Sequence, residues 1–322
     1  MKAFSYLRAL SVDTAVSEAS EQRRLLAGGI DLLGELKEGI AAPDQLVSVT
    51  RIPGLDGVER SARGWSLGAN VTLAALAAHD ALRRALPGLA QAAELVASPQ
   101  IRNVSTVAGN LLQHSRCWYY RHRDVACMRK GGDACYARDG EHKYHCLFTG
   151  NYCISPLVSN LAVALTALDA TVVLRSRRGE RRLSMAELYA PAWDDFAVHH
   201  AVAADEMLTA IEIPVAAQRC AYVQLSEKAA FDWALVSCAA AVEMDGSVVR
   251  RARIALGAVA PVPYRDERAE AALTGRTLDE ATLETAAALL LEKAEPLPHN
   301  AYKVPIVRAL VKRALLAAAA QS

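Results

Sequence analysis

Five of the chain's seven cysteines fall within one stretch, spaced Cys117-x9-Cys127-x7-Cys135-x10-Cys146-x6-Cys153. Thiolates are soft ligands suited to iron–sulfur clusters and to zinc, and four of them close a tetrahedral ion or ligate a cubane. The spacings are too wide for paired C-x2-C zinc knuckles, so a cluster is the first reading and zinc the second. The stretch is polar and carries Gly131-Gly132, too hydrophilic to bury five cysteines as ordinary apolar side chains. Residues Met1 to Leu10 show no cleavable apolar segment, and an odd cysteine total in such a chain argues against a disulfide framework. His114, His122, His142 and His145 surround the cysteines, and one of them could replace a thiolate. Tyr119, Tyr120, Tyr136 and Tyr144 could shield a cluster from water. Cys220 and Cys238 lie in apolar segments as core residues, and His199-His200 has the pattern of a turn rather than a metal site.

Two glycine loops offer a different chemistry. Ala27-Gly28-Gly29-Ile30-Asp31 joins an apolar strand to a helical pattern, and Thr106-Val107-Ala108-Gly109-Asn110 repeats the device 80 residues on. Glycines allow positive φ and close approach, so successive backbone N–H groups can cradle an anion such as a pyrophosphate. Neither loop has the G-x-G-x-x-G or P-loop pattern. No G-x-S-x-G elbow is present, so hydrolase chemistry has no support.

The elements that must position these residues follow from periodicity. Short strands (Ala3–Leu7, Arg24–Ala27, Leu46–Val49, Trp65–Leu67) alternate with helices opened by Ser11, Asp31, Thr72 (to Leu86) and Pro87. Residues 98–153 carry little apolar period, and a stretch of that length inside a compact chain is functional or held by something other than a core. Helix 154–168 and strand 170–174 follow, then a basic turn, Arg175 to Arg182, expected to be solvated. Strands 208–213, 221–225, 234–244 and 251–256 and helices 266–273, 279–293 and 300–319 complete an α+β reading. The Ala-rich end, Ala314 to Ala320, is a surface or partner-facing helix. The domains expected are residues 1–180, with an insert over about 114–153, and residues 181–322. With 322 residues, 52% hydrophobic, and 36 Lys plus Arg against 35 Asp plus Glu, the chain has cores to bury but no basic excess. Nucleic acid and membrane surfaces are therefore not expected partners, and the expected location is the cytoplasm.

The two loops, taken with Gln100-Ile101-Arg102-Asn103 before the second, resemble the FAD-pyrophosphate loops of the flavoprotein (medium) subunit of molybdenum hydroxylases. Phe4-x-Tyr6, Ser159-Asn160-Leu161, Asp232-Trp233-Ala234 and Asn300-Ala301-Tyr302-Lys303 occur in the family's order, so the resemblance spans nearly the whole chain. It implies a two-lobed FAD-binding domain of the vanillyl-alcohol oxidase/PCMH type followed by an antiparallel sheet with helices. It also implies FAD contacts from Ala27, Gly28, Gly29, Ile30, Asp31, Leu32, Thr106, Ala108, Gly109, Asn110, Ser159, Asn160 and Lys228. Two positions depart from the family pattern: Asn160 replaces an Asp that accepts from cofactor hydroxyls, and Gln224 replaces a Lys. Arg116-Cys117 and Lys130-Gly131-Gly132-Asp133-Ala134-Cys135 are similar to the insert of the subgroup typified by 4-hydroxybenzoyl-CoA reductase and bacterial aldehyde oxidoreductases. That likeness implies a [4Fe–4S] cluster on Cys117, Cys127, Cys135 and Cys146, with Cys153 the alternative to Cys146. The implied function is electron transfer with no catalytic acid or base in this chain. The implied partners are a molybdopterin-binding large subunit, a [2Fe–2S] small subunit, and ferredoxin or NAD as external electron partner. A self-standing FAD oxidoreductase and a zinc-stabilised interaction module are the competing readings.

Overall fold

The computed structural model describes residues 1–215 and 219–321. The chain begins with β1 (Ser5–Arg8), α1 (Val12–Glu18), β2 (Arg23–Leu26), α2 (Leu32–Glu38) and β3 (Gln45–Ser48). The three strands form a small parallel sheet in the order β1-β3-β2, which requires helical crossovers between them. Ser11 caps α1 through its side chain, as its position predicts. Asp31 stands at the start of α2 but makes no side-chain cap there, because its carboxylate is engaged elsewhere.

The hairpin β4 (Val58–Ser61) and β5 (Gly64–Gly68) leads into α3 (Leu73–Ala78), α4 (Asp80–Ala85), α5 (Pro87–Glu94), α6 (Pro99–Val104) and α7 (Val107–Leu111). The single helix expected after Thr72 is broken at His79, whose ring Nδ1 accepts from Leu82 N at 3.2 Å and so caps a second helix. The aperiodic stretch condenses into α8 (Trp118–Arg121), a 3-10 turn (Met128–Lys130) and α9 (Tyr136–Asp139). Next come α10 (Asn160–Ala167), β6 (Thr171–Ser176), β7 (Gly179–Ser184), α11 (Met185–Asp194) and β8 (Met207–Pro214). Residues 154–159, expected as the first turns of a helix, form no helix. Their backbone is used across the chain, with Leu157 N donating to Ala260 O and Ala258 N to Leu157 O.

A five-stranded antiparallel sheet runs β4-β5-β8-β6-β7. The expected domain boundary at 180/181 thus falls inside β7, and β8 pairs with both β5 and β6. The hairpin β6–β7 is the expected solvated turn: Arg178 pairs with Asp205, Arg181 with Glu206, and Arg182 with Glu180 and Glu212.

The last third forms β9 (Arg219–Leu225), β10 (Val236–Asp245), β11 (Val248–Gly257), α12 (Glu267–Leu273), α13 (Glu280–Leu291) and α14 (Lys303–Ala319). Its antiparallel sheet, β11-β10-β9, is covered on both faces. Cys220, Tyr222, Ala239 and Ala241 pack with α5 and α10, whereas Ala221, Cys238, Ala240 and Val242 pack with α12–α14. Burial on two faces is why β10 reads as a continuous run of small apolar residues instead of alternating. The Ala-rich end of α14 belongs to this layer, with Ala314, Leu315 and Ala318 buried against the sheet. Among the described residues no helix is long and apolar enough to cross a membrane.

Candidate functional site

The first glycine loop leaves β2 and turns into α2, and its backbone lies hard against the end of α6. A Cβ on Gly28 would stand 2.0 Å from the carbonyl oxygen of Val104, and Gly29 holds φ +74°. The second loop is pinned by its own backbone: Val107 N donates to Val71 O, Ala108 N to Ala69 O, and Thr106 Oγ1 accepts from Gly109 N. Close approach at Gly28 therefore sets the two loops side by side. Together they line a cavity of about 860 Å³, within the range of cofactor sites. Ala27, Gly28, Gly29, Ile30, Asp31, Leu32, Thr106, Ala108, Gly109, Asn110 and Asn160 all reach it. Among the described residues the N–H groups of Gly28, Gly29 and Ile30 have no protein acceptor. Free backbone donors on a concave wall fit a pyrophosphate.

Three expected cofactor residues have other tasks. Ser159 is fully buried; its hydroxyl donates to Asn110 Oδ1 at 2.7 Å and accepts from Ala162 N, so it orients Asn110 and caps α10. Lys228 is exposed and outside the cavity, with its backbone N–H on Asp232. Asp31 lines the cavity, but its carboxylate accepts from His114 N at 2.7 Å and from Arg116 and Arg121. Burial works to raise this carboxyl, but the two guanidinium groups outweigh it and hold the group at about 2. Asn160 donates to Ala92 O and to Gln224 Oε1 at 3.0 Å, so the two positions that depart from the family pattern are bonded to each other.

The cysteine stretch encloses a second, much smaller cavity. It is lined by Cys117, Cys127, Cys135 and Cys153 with Tyr119, Tyr120, Tyr136, Arg129 and His145. The loop between Cys127 and Cys135 folds back on itself through Met128 N to Ala134 O and Gly132 N to Cys127 O, both at 3.0 Å. Asn151 Oδ1 accepts from Cys153 N at 2.8 Å and sets the last thiol. Cys146 does not line this cavity; it is buried with Cys135, Ala137 and Ile154. His145 Nε2 lies 3.2 Å from Cys117 Sγ while its Nδ1 is buried without a partner. Burial pushes the Cys117 thiol up to about 12, and the buried His145 ring, near Lys303, falls to about 4. The cavity measures about 10 Å³, room for at most about one water. Among the described residues no three His, Cys, Asp or Glu side chains close onto a single-ion site. The donor chemistry nevertheless suits a thiolate-bound group: four cysteines line one small cavity together with three tyrosines. Of the expected tyrosine shield, Tyr144 is absent, its hydroxyl donating to Glu227 instead.

One segment separates the two cavities. His114, Arg116, Trp118 and Arg121 face the large one, whereas Ser115, Cys117, Tyr119 and Tyr120 face the small one. Tyr120 spans the wall, donating to Glu35 Oε1 at 2.9 Å, and Glu35 also meets His114 Nδ1 at 2.9 Å. His199, expected in a simple turn, stacks on His114 with ring centroids 4.1 Å apart and accepts from Arg129 Nε at 3.1 Å. Sequence patterning missed Glu35, Arg121, Arg129 and His199 as parts of the site. It also missed Phe231 and Trp233, which bring the loop after β9 to the cavity beside Trp118. The one available signal was the local excess of His and Arg in a stretch without apolar period.

The parallel lobe and the antiparallel lobe frame a cleft lined by free backbone N–H groups, the arrangement of a dinucleotide-cofactor site. A family model described as the FAD binding domain in molybdopterin dehydrogenase matches residues 2–216, and one described as the CO dehydrogenase flavoprotein C-terminal domain matches residues 221–318. The chain belongs to this family of FAD-binding subunits of molybdenum hydroxylase-type dehydrogenases. It is 33% identical over 332 residues to the aldehyde oxidoreductase FAD-binding subunit PaoB of Escherichia coli, covering 100% of both chains. It is 29% identical to the carbon monoxide dehydrogenase medium chain of Hydrogenophaga pseudoflava, covering 98% of this chain and 96% of that one. The solved carbon monoxide dehydrogenase from that organism superposes with a TM-score of 0.77 at 28% identity, over 99% of this chain and 98% of that one. Quinoline 2-oxidoreductase from Pseudomonas putida 86 gives 0.76 at 26% identity, over 98% and 97%. The expected FAD, the α+β architecture and the oxidoreductase class are thereby established.

Proposed function

We propose that the chain is the electron-relay subunit of a molybdenum-containing complex, and that its cysteine cavity takes a [4Fe–4S] cluster ligated by Cys117, Cys127, Cys135 and Cys153. Cys153 is preferred to Cys146 because it shares a cavity wall with the other three. The observation that carries the reading is the segment His114–Arg121, which contributes residues to the walls of both the FAD cavity and the thiol cavity. When bound, FAD exchanges electrons in pairs or singly and an iron–sulfur cluster exchanges them one at a time. The chain's residues do the seating. The amides of Gly28, Gly29 and Ile30 bind the pyrophosphate, with Thr106, Ala108, Gly109 and Asn110 forming the facing wall. Asn160, held by Gln224, presents its side chain where the family has a carboxylate. Phe231 and Trp233 add apolar surface to the cleft wall, and Tyr119, Tyr120 and Tyr136 exclude water from the thiols.

Substrate conversion belongs in this reading to a molybdopterin-binding partner, with a [2Fe–2S] small subunit between it and FAD. Relatives named as medium chains or subunits of dehydrogenases support that division of labour. Ferredoxin or NAD would serve as the external electron partner. Anaerobically purified protein should show flavin bands and about four irons with matching sulfide, the stoichiometry of one cubane. Zinc in place of iron would refute the cluster. Turnover of an organic substrate by the isolated chain would refute the subunit role.

A further inference from the structure

Two buried cations stand near the thiols, Arg129 on the cavity wall and Lys303 behind His145 and Cys146, and neither meets a carboxylate among the described residues. Lys303, at the start of α14, is 0% exposed. Its Nζ donates to Tyr144 O at 2.9 Å, His145 O at 3.0 Å and Ala258 O at 2.8 Å. Arg129, in the 3-10 turn, is 9% exposed and lines the cavity itself. Its Nη2 donates to Val198 O at 2.9 Å, its Nε to His199, and its Nη1 points at Cys153 Sγ at 3.7 Å. Carbonyls and a neutral imidazole satisfy hydrogen bonds without cancelling charge, and an unpaired buried charge costs several kcal/mol. The cavity that Arg129 lines also holds four cysteine thiols, which become anionic when they ligate a metal.

We infer that Arg129, on the wall of the thiol cavity, and Lys303, behind Cys146, are fixed counter-charges of the group that the cavity's cysteines hold and raise its reduction potential. The inference rests on the cluster reading above. A cluster held by four thiolates is anionic, and accepting one electron from the flavin or an external donor makes it more so by one charge. A positive charge fixed nearby stabilises the reduced form more than the oxidised one. Arg129 acts by direct N–H···S contact. Lys303 acts through space, while two of its carbonyl bonds grip the backbone leading into Cys146 and the third ties it to Ala258. Asn300 strengthens that grip, donating to Cys146 O at 2.8 Å. Arriving from the C-terminal domain and from the insert itself, the two cations flank the thiols from different elements.

The test is an EPR-monitored redox titration of the whole complex carrying R129Q, R129K, K303M or K303R, with iron, sulfide and FAD measured alongside. R129Q and K303M should each lower the cluster midpoint, by about a tenfold change in the reduction equilibrium or ~59 mV for one electron. R129K and K303R should remain near the wild-type value and carry full iron. Cluster midpoints unmoved in R129Q and K303M at full iron content would overturn the inference and leave the cluster reading standing. Wild-type complex with no iron in this subunit would overturn both. If K303M does not fold, R129Q, at the cavity edge, decides the question alone.

Discussion

Gly28 carries a constraint that no other residue type meets. Its Cα faces the Val104 carbonyl so closely that a methyl group would sit 2.0 Å from the oxygen, and the obstacle is backbone, which cannot rotate away. Gly28→Ala should push the first loop off the second and reduce bound FAD at least tenfold, read by flavin absorbance per protein, with a loss of about 1–3 kcal/mol in urea unfolding. The two last cysteines separate by position in the same way. Cys153 shares the small cavity, whereas Cys146 is buried behind it among Ala137 and Ile154. Cys153→Ser should abolish the cluster, and Cys146→Ser should keep most of the iron. The reverse pattern in an iron assay would restore Cys146 as the fourth ligand.

At the scale of elements, the wall His114–Arg121 is only as firm as its attachment to α2. That attachment is Asp31, which accepts from the wall's backbone at His114 and from Arg116 and Arg121. The Asp31 carboxyl is held at about 2, below its ordinary 3.8. A group with a depressed folded value contributes stability that is fully present above the ordinary value and is lost as pH falls through the folded one. Asp31's share should therefore disappear between about pH 4 and pH 2. Asp31→Asn should cost about 1–3 kcal/mol at pH 7 and show a shallower acid loss than wild type in the same window. Because the wall also borders the FAD cleft, the variant should release FAD more readily, as flavin fluorescence would report. The third sheet makes a prediction of another kind. Ala240 is 0% exposed in β10, on the face covered by α12–α14, so Ala240→Leu should destabilise by about 1–3 kcal/mol through overpacking. The check is a thermal scan of the whole chain, in which an unchanged or raised midpoint would contradict the close-packed layer.

For the whole molecule, the cysteine-bearing insert is tied to every part of the fold. Asp31 and Glu35 hold it to the parallel lobe. Val198 and His199 reach it from the segment between α11 and β8, through Arg129. Asn300 and Lys303 grip it from the last helix. Much of this organisation was legible in residue order. Most of the strands and helices follow from local periodicity and caps. The glycine loops announce an anion cradle because only their residue type allows the backbone to do it, and the thiols clustered in sequence include four that line one small cavity. Other features were not legible. A helix was expected over residues 154–159, but Leu157 gives its N–H and carbonyl to residues a hundred positions away. His199 has the composition of a turn and becomes part of the wall by stacking on His114. Residues 181–214 extend the antiparallel sheet of the FAD domain because β8 finds partners on both sides. Residue types and short spacings determined which chemistries this chain carries, since those depend on neighbours along the chain. Which thiols face one cavity, and that a single wall divides it from the FAD cleft, was decided by tertiary structure. Those arrangements rest on contacts between residues far apart in sequence, which local patterning does not encode.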